Sequence, residues 1–197
     1  SYNVAILANK MQQSREILGR IQLAYEHLPK WLQQGVLEWN KGNIELENGS
    51  KILASATSSS AVRGGSFNLV YLDEFAFVSP NIQEEFFSSV YPTISSGKTS
   101  KVLITSTPNG LDMFYRIWSD SERGKNSYKR VEVKWWDVPG RDQKFKEQTI
   151  ANTSEEQWRV EFECVAGETT ITVRDKKTNK IKNVRIDEFM DMLSVSS

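Results

Sequence analysis

Cysteine and histidine are almost absent: Cys164 and His27 are the single examples in 197 residues. One cysteine excludes an internal disulfide and suits a reducing compartment. No apolar run approaches the ~20 residues of a membrane span, and no signal peptide opens the chain. Charge of one sign is lacking too. The 25 Lys and Arg balance 25 Asp and Glu, so no global field advertises nucleic-acid or membrane binding. A phosphate-cradling P-loop is also missing. "SSGKTS" (95–100) contains Gly97-Lys98-Thr99, but Pro92 stands where GxxxxGK needs its first glycine. A P-loop follows a strand and opens a helix, whereas this triplet follows a turn-rich stretch and leads into a strand. It reads as a solvated loop. The chain opens at Ser1 without an initiator Met, as the middle of a longer protein would.

What is there is an α/β pattern. The 39% hydrophobic content suffices for a core. "NVAILA" (3–8) is a continuous apolar run, as in a strand covered on both faces. Residues 11–28 have helical spacing, with Ile17, Leu18, Ile21, Ala24, Tyr25 and Leu28 on one side, and Pro29 stops them. "NIELENGSKILASAT" reads as a hairpin turning at Asn48-Gly49. Buried-strand runs follow at 67–75 and 100–108. Helical stretches lie near 81–90 and 111–121, and a further strand is expected at 128–135. Two helical segments come next, the second opened by a capping box from Ser154 to Gln157. The alternation predicts a largely parallel sheet.

Open α/β sheets keep their ligands at the strand ends. Leu69-Val70-Tyr71-Leu72 runs into Asp73-Glu74 and resembles a Walker B segment. There the first acid holds Mg²⁺, usually through water, and the second orients and polarises the attacking water. A buried strand surfacing at two solvated acids is the plainer reading of that stretch alone. The next strand ends in Thr105-Ser106-Thr107, then Pro108-Asn109-Gly110. Hydroxyls at a neighbouring strand tip could sense a γ-phosphate or its water; alternatively they form an ordinary turn.

Over residues 1–163 the chain resembles the large terminase subunit of tailed bacteriophages, the T-even-like type above all. The resemblance rests on "LPKWLQQGVLEWNKGNIELENGSKI", "AVRGGSFNLVYLDEFAF", "PTISSGKTSKVLITSTPNGLDMFYRIW" and "EEQWRVEFEC". It implies a P-loop ASCE-type ATPase core that drives double-stranded DNA into a procapsid. It also implies partners: the portal, the small terminase subunit and sister motor subunits, in the host cytoplasm at the portal vertex. Asp73 would be the Mg²⁺ residue and Glu74 the catalytic base. Thr105, Ser106 and Thr107 would form the motif coupling hydrolysis to movement. Arg63, in "AVRGG", matches a proposed arginine finger reaching a neighbour's ATP; the other reading is a surface arginine in a Gly-rich loop. Walker A and the C-terminal nuclease domain, both present in the family, have no counterpart here. The complete motor would use ATP and Mg²⁺, and this piece alone is expected to bind no cofactor and to be inactive as an ATPase.

The family pattern gives way at Glu163–Cys164. "CVAGETTITVRDKKTNKIKNVRIDEFM" resembles the first block of an intein, which implies an all-β Hint fragment at 164–197. Cys164 would attack the Glu163 carbonyl to give a thioester, since a thiolate is accessible near neutral pH. "TTITVR" and "KIKNVRI" would form its opening hairpin. The second-block His is absent, because His27 lies in the first helix of the ATPase part. A complementary C-fragment carrying the rest of the Hint fold and the nuclease would be the splice partner. Two other readings stand beside this one. The first is an ATPase or helicase-core fragment with an ordinary C-terminal hairpin and a structural Cys. The second is an interaction module built on a degenerate ATPase fold.

Overall fold

The computed structural model describes residues 1–58, 61–62, 65–89, 91–92, 100–163, 170–174 and 181–185. The chain forms two compact units, Ser1–Arg130 and Val131–Ser197.

The first unit is built on a six-stranded sheet in the order β2-β3-β4-β1-β5-β6. Its strands are β1 Asn3–Ala8, β2 Val36–Trp39, β3 Asn43–Leu46, β4 Lys51–Ala56, β5 Leu69–Asp73 and β6 Lys101–Thr105. β4, β1, β5 and β6 run parallel, while β2 and β3 are added antiparallel. The apolar runs foreseen at β1, β5 and β6 are all strands. The two faces of β1 explain its composition. Ala5 and Leu7 enter a core with Val70, Leu72, Phe75 and Phe86. Ile6 enters a second core with Leu18, Ile44 and Ala54. A strand buried on both faces has no polar alternation to show.

Helix α1 (Met11–Glu26) covers the second core through Leu18, with Ile17 and Ile21 beside it. The expected hairpin is β3–β4. Gly49 takes a φ of 78°, which a side chain would resist, and Asn48 Oδ1 accepts from the Ser50 amide at 2.9 Å. Glu45 and Lys51, paired in register across it, are joined at 2.9 Å. The opposite face carries α2 (Pro80–Ser89), with proline at its first position, where the missing N–H costs nothing. Helix α3 (Met113–Glu122) starts at Asp112, whose Oδ1 accepts from Tyr115 N at 2.9 Å. Between them lies Gln83, which is fully buried. Its amide donates to the Phe75 and Val78 carbonyls at 3.1 and 2.7 Å and accepts from Met113 N at 3.1 Å.

The strand expected at 128–135 does not form. Residues 128–134 have no ladder, and Val131 and Val133 are 80% and 69% exposed. Their alternation favours a strand only where a neighbouring edge completes the hydrogen bonds, and none of the described residues does so. The Lys134 amide instead donates to Asp137 Oδ2 at 2.8 Å, opening a 3-10 turn at Trp135–Asp137.

In the second unit, α4 (Gln143–Asn152) and α5 (Glu155–Phe162) pack around Trp158, which is 1% exposed. Trp135, Phe145 and Phe162 meet that indole with ring centroids 5.2, 5.9 and 4.4 Å away. Ser154 caps α5 as foreseen, its Oγ accepting from Gln157 N at 3.1 Å. The hairpin expected after Cys164 is present as β7 (Thr170–Arg174) paired antiparallel with β8 (Ile181–Arg185) in a separate two-stranded sheet.

Candidate functional site

The parallel strands end together. Ala8 pairs with Ala56 on one side and Asp73 on the other, and Asp73 pairs with Thr105. The row Ala56–Ala8–Asp73–Thr105 therefore crosses the carboxyl edge of the sheet, with two small residues beside one acid and one hydroxyl. The sequence foresaw a carboxylate and a hydroxyl at neighbouring strand tips, and the fold brings these two into contact. Thr105 Oγ1 donates to Asp73 Oδ1 at 3.1 Å.

Two further side chains join them, and neither was foreseen. The Tyr71 hydroxyl donates to the same Oδ1 at 2.8 Å and lies 2.9 Å from Thr105 Oγ1. Tyr71 is two residues before Asp73, so the period of a strand puts both on one face; that signal was available in the sequence. Gln13, in the first turn of α1, donates through Nε2 to Asp73 Oδ2 at 3.2 Å. No local pattern announces that contact. Burial holds the Tyr71 phenol above its ordinary value, helped by the Asp73 and Glu74 charges and opposed by the Thr105 hydrogen bond.

Glu74 follows with φ 49° and ψ 43°, the one left-handed non-glycine among the described residues. Such a conformation costs about 1 kcal/mol or more in an ordinary residue. It ends β5 abruptly and starts the 3-10 turn Phe75–Phe77, whose Phe75 is locked in the core. Glu74 Oε2 is sheltered from solvent.

Ser106 and Thr107 do not join the Asp73 cluster. Ser106 Oγ accepts from Ala76 N at 3.0 Å and donates to the Thr107 carbonyl at 2.9 Å. Asn109 Nδ2 donates to the Ala76 carbonyl at 3.2 Å. The loop after β6 thus grips the turn behind Glu74 by both sides of one residue. Arg63, the Gly97-Lys98-Thr99 triplet and Cys164 lie outside the described residues. Glu163 lies in the second unit, where its Oε1 accepts from Lys146 Nζ and, at 2.9 Å, from Trp158 Nε1. The Lys146 hydrogen bond first, then the Trp158 one, holds this carboxyl below the usual range.

Mg²⁺ takes hard oxygen ligands in octahedral geometry and keeps several waters. Asp73 with the Tyr71 and Thr105 hydroxyls presents oxygen atoms at the open end of the sheet, so this donor set fits that ion. No described helix is long and apolar enough to cross a membrane.

Solved structures similar to this chain include large terminases. A variant of the Thermus phage P74-26 large terminase ATPase domain superposes with a TM-score of 0.63 at 18% identity, covering 83% of this chain and 76% of that one. The HK97 bacteriophage large terminase gives 0.63 at 14% identity, and the chain spans 41% of its length. The large terminase of a thermophilic bacteriophage, solved in complex with ADP, gives 0.58 at 10% identity, over 99% of this chain and 61% of that one. The sequence profile described as "Terminase large subunit, T4likevirus-type, N-terminal" matches residues 1–177, continuing past Cys164. The chain belongs to the T4-like terminase large subunit N-terminal family.

Proposed function

We propose that this chain forms part of the ATP-hydrolysing domain of a motor subunit that drives double-stranded DNA into a phage procapsid. The observation that carries the proposal is the Asp73–Thr105 contact at the sheet's carboxyl edge, followed at once by Glu74 in a left-handed turn. Asp73, fixed through both oxygens, would hold Mg²⁺. Glu74, released from the strand's alternation by its positive φ, orients the attacking water and takes its proton. Bound Mg²⁺ and ATP supply the reacting phosphate and neutralise its charge. Thr105 senses the state of the acid, and Ser106 and Asn109 pass it to the turn that carries Glu74. Thr107 completes that coupling segment, and Arg63 would serve as the arginine finger toward a sister subunit's ATP. The ADP complex of one structural neighbour supports a nucleotide on this fold.

A phosphate cradle would have to be added to the described residues. Among the described residues β6 is the edge strand of the sheet, and Leu103 on it is 51% exposed. A further parallel strand leading into a glycine-rich loop would cover that edge and put its amides near Asp73. The working protein acts in the host cytoplasm at the portal vertex, with the small subunit, sister subunits and a nuclease domain. The test is a packaging assay with the full-length protein. Asp73→Ala should abolish ATP-dependent DNA uptake, and uptake at the unsubstituted rate would overturn the reading.

A second reading concerns the seam. We propose that Cys164 begins an intein N-fragment, a reading favoured by the separate β7–β8 hairpin. The family match running on to residue 177 weighs toward the plainer reading, in which the hairpin is an ordinary part of the chain. In the intein reading the Cys164 thiolate attacks the Glu163 carbonyl carbon. The C–N bond breaks, the amine takes a proton, and a thioester remains. Mixed with a complementary C-fragment, the chain should lose residues 164–197, and Cys164→Ala should block that loss. Mass spectrometry showing an intact chain in the mixture, or splicing unchanged in Cys164→Ala, would reject the intein.

A further inference from the structure

Tyr71 is a costly choice for its place. Its register partners in the strands on either side are Ile6 and Leu103, and the rest of β5 before Asp73 is aliphatic. Phenylalanine would fill the same space without taking a hydroxyl out of water. The hydroxyl is used, however. With Asp73 Oδ1 and Thr105 Oγ1 it closes a triangle of oxygens whose sides are 2.8, 2.9 and 3.1 Å. Two hydroxyl protons serve one carboxylate oxygen, and the contact between the hydroxyls is already at hydrogen-bond distance. Gln13 holds the other oxygen. When a demand is placed on Oδ1, a hydroxyl whose hydrogen bond it releases can swing its proton onto the hydroxyl–hydroxyl contact without any heavy atom moving far.

We propose that Tyr71 is a positioning residue with a relay role: it sets the Asp73 carboxylate for a divalent cation and reports its engagement to Thr105 on the neighbouring strand. Gln13 assists by fixing Oδ2. The inference rests on the Mg²⁺ role given to Asp73 above. No covalent bond forms or breaks; one hydroxyl proton changes its acceptor. Groups behind a metal-binding carboxylate commonly change metal affinity by tenfold or more when removed.

The test measures Mn²⁺ binding to the full-length protein by electron paramagnetic resonance, in the presence of a non-hydrolysable ATP analogue. Tyr71→Phe should weaken Mn²⁺ binding by about tenfold with little change in the urea midpoint, and Gln13→Leu should weaken it in the same direction. Thr105→Val combined with Tyr71→Phe should lose clearly less than the product of the two single losses, because both hydroxyls belong to one triangle. A Tyr71→Phe protein that is less stable but binds Mn²⁺ unchanged would mark a purely structural tyrosine and overturn the inference. Independent, multiplicative losses would overturn the link to Thr105. Asp73→Asn separates the layers. If it abolishes binding while Tyr71→Phe has no effect, the relay alone fails. If Asp73→Asn itself has no effect, the metal reading fails and takes the inference with it.

Discussion

Asp73 and Thr105 face each other across neighbouring parallel strands, and the threonine hydroxyl donates to the aspartate at 3.1 Å. One residue further, Ser106 reaches the amide of Ala76 at 3.0 Å. The tip of β6 is therefore tied both to the first acid and to the turn behind the second. In the proposed function, that double tie would be what couples events at the phosphate to movement elsewhere.

Ser106→Ala tests the second tie. Ala76 is buried, so its amide would lose its acceptor without gaining water. The expected cost is about 1–3 kcal/mol, measured by urea denaturation, with nucleotide hydrolysis and DNA movement becoming less tightly coupled in the full-length protein. A variant as stable and as well coupled as the parent would show that the contact is incidental.

Trp158→Ala tests the core of the second unit. Three aromatic rings rest on that indole, and its Nε1 supports Glu163. Removing it should cost about 3–5 kcal/mol. Circular dichroism should show the helices around it melting at lower temperature.

The Glu163 carboxyl gives a prediction with a sign. Its value is lowered in the folded state, chiefly by Lys146. A lowered carboxylate stabilises the fold above its unfolded value, and that contribution is lost as pH falls through the folded value. It is therefore fully present at neutral pH and disappears in the acid range. Lys146→Met should move the Glu163 titration upward toward the ordinary carboxylate range, as followed by NMR. Its destabilising effect should be present at pH 7 and fade in acid. Because the pair is partly exposed, solvent screening keeps that effect small.

The parts of this molecule that the sequence reveals are those governed by local rules. β1, β5 and β6 read as strands because each carries a short apolar run, and Asp73 and Glu74 stand out because polarity begins abruptly where β5 ends. Tyr71 was within reach of a period-two argument. Gln13 was not, because it meets Asp73 across 60 residues of chain, and only the strand order brings them together. β2 escaped notice because it is only four residues long and its apolar residues do not alternate cleanly with polar ones. Val131 and Val133 misled in the opposite way: their alternation is genuine, but a strand needs a partner edge as well as a pattern.

The most direct measurement is steady-state ATP hydrolysis by the full-length protein carrying Glu74→Gln, together with binding of a fluorescent ATP analogue. An amide cannot take the proton of the attacking water, so the account predicts a fall in hydrolysis of about 10²–10⁴-fold with nucleotide binding retained. Hydrolysis near the unsubstituted rate would contradict it, because the catalytic base would then lie elsewhere than at the end of β5.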